Sequence, residues 1–480
     1  MRIKANYHED EFIPELEGNP LTEALPHIEQ AELLKRLTHT PEIPDNFQKA
    51  PQYAKEFLLR KLKKTHIPQA IMISLYESIY SAILDRYNAY HPMSAKHMRK
   101  QLQLAEVAVN KAKFSSEGIY SSIAPSMLVD GQSGSGKTTL IRSTLHMLPQ
   151  VIEHESYKGR LFRQDQLVWI SFDLPSTASK KALALNFFKA VDDALGNTDY
   201  YKKWSNKPRE SVDSHLNAMQ LIAETHHIGI IHIDEIQFML KYPQGKDAPS
   251  FVVLEALFNK LGVPVILSTT TQGLALFDTA NGENQFVDMT TTRRMLSERQ
   301  FTCNIHKAED KFFNQLFDAL FPPQVCTEGK QPGREFRLRF HRHSCGLPFM
   351  MVRLAHLHHE TIFRLRVKLP QKAKSIQTDD IDSLNKTYNK QFRLIHRALE
   401  NLRNGNDLAF EKLLASKGGI NKFFDEAKEN ERKKQIKNLS PSGSKGNITA
   451  STKSSQVTKK KSAKVNPADE FDGFLTGMEE

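Results

Sequence analysis

Ten residues, Asp130 to Thr139 (DGQSGSGKTT), constrain the fold of this chain more than any other stretch. They match the phosphate-loop pattern G-x-x-x-x-G-K-[ST] at Gly131, Gly136, Lys137 and Thr138. Glycines let the backbone wrap so closely that successive N–H groups point inward at phosphate oxygens, and the following helix adds its positive N-terminal end. The run before the loop, SMLVD (Ser126 to Asp130), reads as a short strand, and TTLIRSTLHML reads as an amphipathic helix. Residues Gly131, Gln132, Ser133, Gly134, Ser135, Gly136, Lys137, Thr138 and Thr139 are therefore expected to cradle ATP. In that role Lys137 reaches the β- and γ-phosphates, and the Thr138 hydroxyl binds Mg²⁺.

The flanking sequence extends the pattern. Further strands are expected at LVWISFD (Leu167 to Asp173), GIIHIDE and VPVILSTT. Between them fall helices at KKALALNFFKAVDDAL, started by Pro175, Ser176 and Thr177 and closed by Gly196, at VDSHLNAMQLIAETHH and at FVVLEALFNKL. Strands alternating with helices predict an α/β fold: a mostly parallel sheet flanked by helices, of the phosphate-loop ATPase type. The strand IIHIDE ends in Asp234 and Glu235. On a neighbouring strand, Asp234 would reach the Mg²⁺ through its water shell, leaving Glu235 to orient and deprotonate an attacking water. The spacing is that of ATPases in which an extra strand separates the phosphate loop from these carboxylates. At the tip of VPVILSTT, Thr270 is the first choice and Thr269 the second for a polar contact to the γ-phosphate or the water. Beyond it, TTTRRMLSERQ supplies Arg293, Arg294 and Arg299, candidates for an arginine that enters the site of a neighbouring subunit. Arg353, in GLPFMMVRLAH, is placed on a helix that could return toward the phosphates.

The 480 residues, 39% of them hydrophobic, divide into five expected parts. Residues 1–60 form an arm without a core of its own, and 61–120 a helical lead-in that carries Ile71, Leu75, Ile79 and Ile83 at helical spacing. Residues 121–290 are the α/β core, and 291–430 a helical lid with C-terminal helices. Residues 431–480 are a flexible tail: Arg432 to Lys464 contains lysines and no acid, and DEFDGFLTGMEE has the look of a docking peptide. A net charge of +11 favours a polyanionic partner. Three scattered cysteines, Cys303, Cys326 and Cys345, point to a reducing compartment, and no run has signal-peptide or membrane-span length, so a cytoplasmic location is expected. His341, His343 and Cys345 would share one side of an extended segment, a zinc reading that no paired C-x-x-C spacing supports. The Phe-rich stretches KFFNQLF and NKFFDEAK read as core stripes.

Several stretches together resemble one family. GNPLTEALP, GQSGSGKTT, LNFFKAVDDALG, GIIHIDEIQ, GVPVILSTTT with Phe277, and YNKQFRLIHRALENLRNG are similar to the TnsC family of AAA+ ATPases, which regulate target choice in Tn-seven-type DNA transposons, and more distantly to the TniB and MuB regulators. The resemblance implies an ATP switch that assembles as rings or filaments on double-stranded DNA, hydrolyses ATP slowly, and passes a target-selector signal to transposase subunits held by the C-terminal tail. It assigns nucleotide roles to Gly131, Gly136, Lys137, Thr138, Asp234 and Glu235, and DNA contacts near Thr177, Lys180 and Lys181. Lysines at a helix N-terminus also suit sequence-independent binding to a phosphate backbone. The competing expectations are an ATP-driven DNA motor or helicase loader, and a remodeller of proteins.

Overall fold

In this computed structural model the described residues are 1–110, 126–175, 179–241, 261–277 and 299–415, and among them eight strands form two sheets. The strands are β1 Arg2–Lys4, β2 Ser126–Gly131, β3 Val151–Tyr157, β4 Arg160–Leu167, β5 Trp169–Asp173, β6 Ile230–Asp234, β7 Val265–Thr270 and β8 Arg299–Cys303. The main sheet has the order β5-β6-β7-β2-β8, and every adjacent pair is parallel. Its central strands are apolar almost end to end because helices cover both faces. Alternation divides them cleanly. Met127, Val129, Ile230 and Ile266 join one core, while Leu128, Ile231, Ile233, Val265 and Leu267 join the other.

Two helices, one before and one after β2 in the chain, help fill the first core: α4 Ile71–Asn88, through Leu75, Ile79 and Ile83, and α6 Lys137–Leu145, through Leu140 and Ile141. On the second face lie α7 Lys180–Leu195, through Phe187 and Phe188, and α9 Val212–Thr225, through Met219 and Ile222. Helix α7 spans the expected KKALALNFFKAVDDAL, but Pro175, Ser176 and Thr177 do not cap it. Its N-cap is Ser179, whose hydroxyl accepts from the Ala182 N–H, and Gly196 closes it in the left-handed conformation.

A second sheet, β1-β3-β4, was not among the sequence expectations. β3 and β4 form an antiparallel hairpin whose two-residue turn, Lys158 and Gly159, has φ of 44° and 76°, the backbone a tight hairpin needs. The N-terminal residues add β1 in parallel to β3. The arm is pinned further at GNPLTEALP: Asn19 caps α1 (Pro20–Glu23) and donates to the Tyr87 and Tyr90 carbonyls, while Leu21, Leu25 and Ile28 enter the α4 core. Downstream come α2 Gln30–Leu37, α3 Gln52–Lys61, α5 Ala95–Asn110 and α8 Tyr200–Ser205.

The sheet runs past residue 290, because its edge strand β8 begins at Arg299. After β8 the chain is helical: α10 Lys311–Leu320, α11 Arg334–Ser344, α12 Pro348–Lys368, α13 Ile381–Gln391, α14 His396–Arg403 and α15 Asp407–Ala415. Phe313, Phe317, Phe321, Phe336 and Phe340 form the centre of this lid, so KFFNQLF is a core stripe. NKFFDEAK and the tail at 431–480 lie outside the described residues, as does the helix expected at FVVLEALFNKL up to residue 260. No described helix is long and apolar enough to cross a membrane.

Candidate nucleotide site

Three glycines set the phosphate loop. Gly131, Gly134 and Gly136 have φ of 151°, 84° and 96°. At Gly131 a Cβ would also lie 2.5 Å from the Cys303 carbonyl oxygen on β8, so only glycine fits between the two strands. Gly136 then opens α6, and Lys137 is its first residue. The Lys137 ammonium, 9% exposed, donates to the Gly131 and Gln132 carbonyls at 2.9 Å each. Burial lowers its pKa, against the pull of the Glu411, Asp234 and Glu235 carboxylates.

Asp234 is not on the strand next to the loop strand; an extra strand separates the two, as the spacing of the motifs implied. β7 lies between β2 and β6. The carboxylate nevertheless meets the loop, because the Thr138 hydroxyl donates to Asp234 Oδ2 at 2.6 Å. Its other oxygen accepts from the Ser268 hydroxyl on β7 and from the Glu235 N–H. Behind them His232, fully buried, bridges Ser171 and Ser268 at 2.9 and 3.0 Å. Burial pushes the Asp234 carboxyl up, but His232 and the hydrogen bonds from Ser268, Thr138 and the Glu235 N–H outweigh it and hold Asp234 below its ordinary value. Burial also keeps His232 neutral, with its pKa lowered to about 4.

Glu235 follows in the left-handed region, φ 62°, an uncommon place for a residue with a side chain. Burial, and then the Asp234 charge, raise its pKa above the usual carboxylate range. One of its oxygens accepts from the Gln237 amide in a close contact. The Gln237 carbonyl in turn accepts from the Thr269 hydroxyl and the Thr270 N–H, each at 3.3 Å. Gln237 thus ties Glu235 to the tip of β7. Gly273 makes room for this link, since a Cβ there would lie 1.8 Å from Thr269 Oγ1 and 2.8 Å from Gln237 Cβ.

A cavity of about 1090 Å³ gathers these groups. It is lined by Gly134, Gly136, Lys137, Thr138, Thr139, Glu235, Gln237 and Thr270, by His66 and Gln69 from the segment before α4, and by Arg353 and His356 from α12. It is slightly larger than the roughly 300–1,000 Å³ of typical ligand pockets, which leaves room for a nucleoside triphosphate. Thr270 is in the wall, whereas Thr269 is wholly buried. Arg353 stands with its guanidinium 5.3 Å from the Phe392 ring centre. The lid touches the loop directly, where the Phe349 N–H donates to the Gly134 carbonyl at 3.3 Å. Ser135 Oγ and Gln132 Oε1, in the same loop, are buried with no hydrogen-bond partner among the described residues. The Ser135 hydroxyl, as a free donor in an amide-lined cradle, fits a phosphate chain, and the hydroxyl and carboxylate of Thr138 and Asp234 are the hard oxygen donors that Mg²⁺ prefers.

The other sequence candidates fall elsewhere. Lys180 and Lys181 begin α7 after β5, three strands from the phosphate-loop strand, and Lys181 Nζ donates to the Pro208 carbonyl. Thr177, Arg293 and Arg294 lie outside the described residues. Arg299 is exposed and pairs with Met127, at the end of the sheet away from the phosphate loop. The zinc alternation fails because His341 and His343 sit on helix α11, not on an extended segment. His341 bonds the His306 carbonyl and His343 the Asn385 side chain. No cluster of three or more His, Cys, Asp or Glu suited to a metal occurs among the described residues. Sequence reasoning missed Gln237, although it stands two residues after Glu235 in DEIQ. It also missed Glu411, for which no sequence signal exists.

A family model agrees with this geometry. Residues 122–276 match the family model described as AAA domain. No curated protein matches the chain. Among solved structures, the Walker-type ATPase PABY2304 of Pyrococcus abyssi aligns over 64% of this chain and 75% of its own, at 13% identity and a TM-score of 0.34. With its parallel sheet, phosphate loop and paired carboxylates, the chain contains an AAA+ domain of the P-loop ATPase class.

Proposed function

We propose that this chain is an ATP-dependent switch that assembles on double-stranded DNA and, in the manner of the TnsC family it resembles, links a target selector to transposase subunits. The observation that carries the nucleotide part is the meeting of Lys137, Thr138 with Asp234, Glu235, Thr270 and the lid residue Arg353 around one cavity. In this reading the loop amides and Lys137 bind the phosphates, and Thr138 and Asp234 hold a Mg²⁺ that would neutralise charge on the β- and γ-phosphate oxygens. Glu235 orients water and takes its proton, while Thr270 positions the terminal phosphate or the water. Gln237 positions Glu235 from the tip of β7. Arg353 carries the state of the site to the lid. An arginine from a neighbouring copy completes the charge balance, supplied by Arg293, Arg294 or Arg299. Arg299 starts the edge strand at the far end of the sheet, so it would act on a neighbour's nucleotide rather than its own.

The DNA and transposition parts are supported by the sequence resemblance and the net charge of +11. Lys180, Lys181 and Thr177 are the proposed backbone contacts. Sedimentation and imaging of the protein on plain duplex DNA test the assembly. ATP is expected to give rings or filaments that absence of nucleotide does not, and the Lys137→Ala variant is expected to give none. A helicase loader or motor would instead show fast, DNA-stimulated turnover and translocation. A protein indifferent to duplex DNA under all nucleotide conditions would refute the switch.

A further inference from the structure

The phosphate loop already holds a carboxylate. Glu411, on α15, is 3% exposed, and its Oε1 accepts from the Ser133 N–H at 2.5 Å. Ser133 is in the middle of the loop, where the inward-pointing amides of a phosphate cradle would meet an anion. The same carboxylate is the strongest charge acting on the Lys137 ammonium, which has folded back on the Gly131 and Gln132 carbonyls. Burying a carboxylate is costly unless charged or N–H partners face it, and here the partners are the groups that ATP needs.

Helix α15 is built to hold Glu411 in place. Asn406 caps it by accepting from the Ala409 N–H, Phe410 is buried in the lid core, and Leu413 packs against that core. With these side chains anchored on the lid, Glu411 is turned into the nucleotide cavity, whose wall it shares with Leu414. Ser135 Oγ, a buried hydroxyl unpaired among the described residues, shows that one carboxylate leaves the donors of the loop incompletely satisfied.

We propose that Glu411 is an internal stand-in for a phosphate: it competes with nucleotide for the loop amides, so ATP binding expels it and moves α15 off the loop. This rests on the nucleotide reading of the site and adds a regulatory contact to it. The lid end of the chain is thereby made to report whether the phosphate loop is filled.

The test measures binding of ATP, ADP and adenosine to the full chain by calorimetry, for wild type, Glu411→Ala and Glu411→Gln. Removing a competing charge-assisted hydrogen bond is expected to tighten ATP and ADP by about 10- to 100-fold in the Ala variant and by less in the Gln variant. Adenosine, which has no phosphate to place, is expected to bind all three alike. Hydrogen exchange on the wild type is expected to show residues 407–415 losing protection when ATP is added. Unchanged or weaker ATP binding in both variants, or stronger protection of 407–415, overturns the displacement while leaving the nucleotide reading intact. A wild-type chain and variants that all fail to bind ATP overturn both.

Discussion

Replacing Glu235 by glutamine separates hydrolysis from binding. The substitution keeps the size of the side chain, its capacity to accept from the Gln237 amide and the left-handed backbone at φ 62°. What it removes is the proton acceptor. Loss of a general base costs a factor of about 10² to 10⁴, equivalent to about 3–5.5 kcal/mol on the activation barrier. Binding should not suffer, because Lys137 and the Thr138–Asp234 pair are untouched and one of two adjacent carboxylates near the phosphates is neutralised. The variant is therefore expected to bind ATP at least as tightly as wild type and to stay assembled on DNA. Glu235 acts in its deprotonated form, and burial raises its pKa above the usual 4.5. Wild-type turnover thus falls as pH drops through that raised value, and the variant lacks this acid limb. Phosphate release across pH, with nucleotide binding on the same samples, checks both points. Turnover within about three-fold of wild type, or the same acid limb in the variant, would refute the role assigned to Glu235.

Two further changes follow from individual contacts. Gln237→Ala cuts the link between Glu235 and the tip of β7; steady-state kinetics are expected to show kcat lower by about ten-fold with KM nearly unchanged, as for a group acting only in the transition state. Glu224→Ala strips a wholly buried carboxylate from Arg86 and Lys100, whose nitrogens lie 3.2 and 2.7 Å from it; removing one partner of a buried charge cluster costs about 3–5 kcal/mol, and thermal unfolding should read this as a midpoint lower by roughly 3–6 °C.

The parts of the fold that were legible in sequence are those where a local rule and the tertiary structure agree. GQSGSGKTT needs its glycines for the loop itself, and the buried strands β2, β6 and β7 are apolar because both faces are covered. The hairpin β3–β4 was hidden because its outward residues are charged and its polar run, HESYKGRLFRQDQL, dilutes the alternation. Lys158 and Gly159 at its turn were the available signal. β8 escaped for a related reason: as an edge strand it buries only Phe301 and Cys303 of its five residues. The order of the strands is a long-range property that no window of sequence holds: only the wide spacing of the two motifs hinted at the strand between Asp234 and the phosphate loop. Glu411 follows the same logic more severely. It meets Ser133 across 278 positions of chain, and nothing local distinguishes it from a solvated helix acid.

The cavity is where these long-range relations become function. Its walls come from the segment before α4, from the phosphate loop, from the carboxylate strand and the tip of β7, and from the lid helices α12 and α15. Each wall is anchored in a different place: α4 in one sheet core, β6 and β7 in the middle of the sheet, α12 and α15 in the phenylalanine core of the lid. A triphosphate seated there would contact every wall but α15, which it displaces, and such a ligand stabilises the arrangement it binds by about 2.7 kcal/mol at one hundred times its Kd. Hydrolysis and release remove that stabilisation and return the loop amides to Glu411. The direct contacts at Gly134 and Ser133 mean that the lid and the phosphates cannot be satisfied independently. Coupling of nucleotide state to the arrangement of the lid therefore needs no relay across the protein: it arises because two sets of groups, one on the ligand and one on the lid, claim the same few N–H donors.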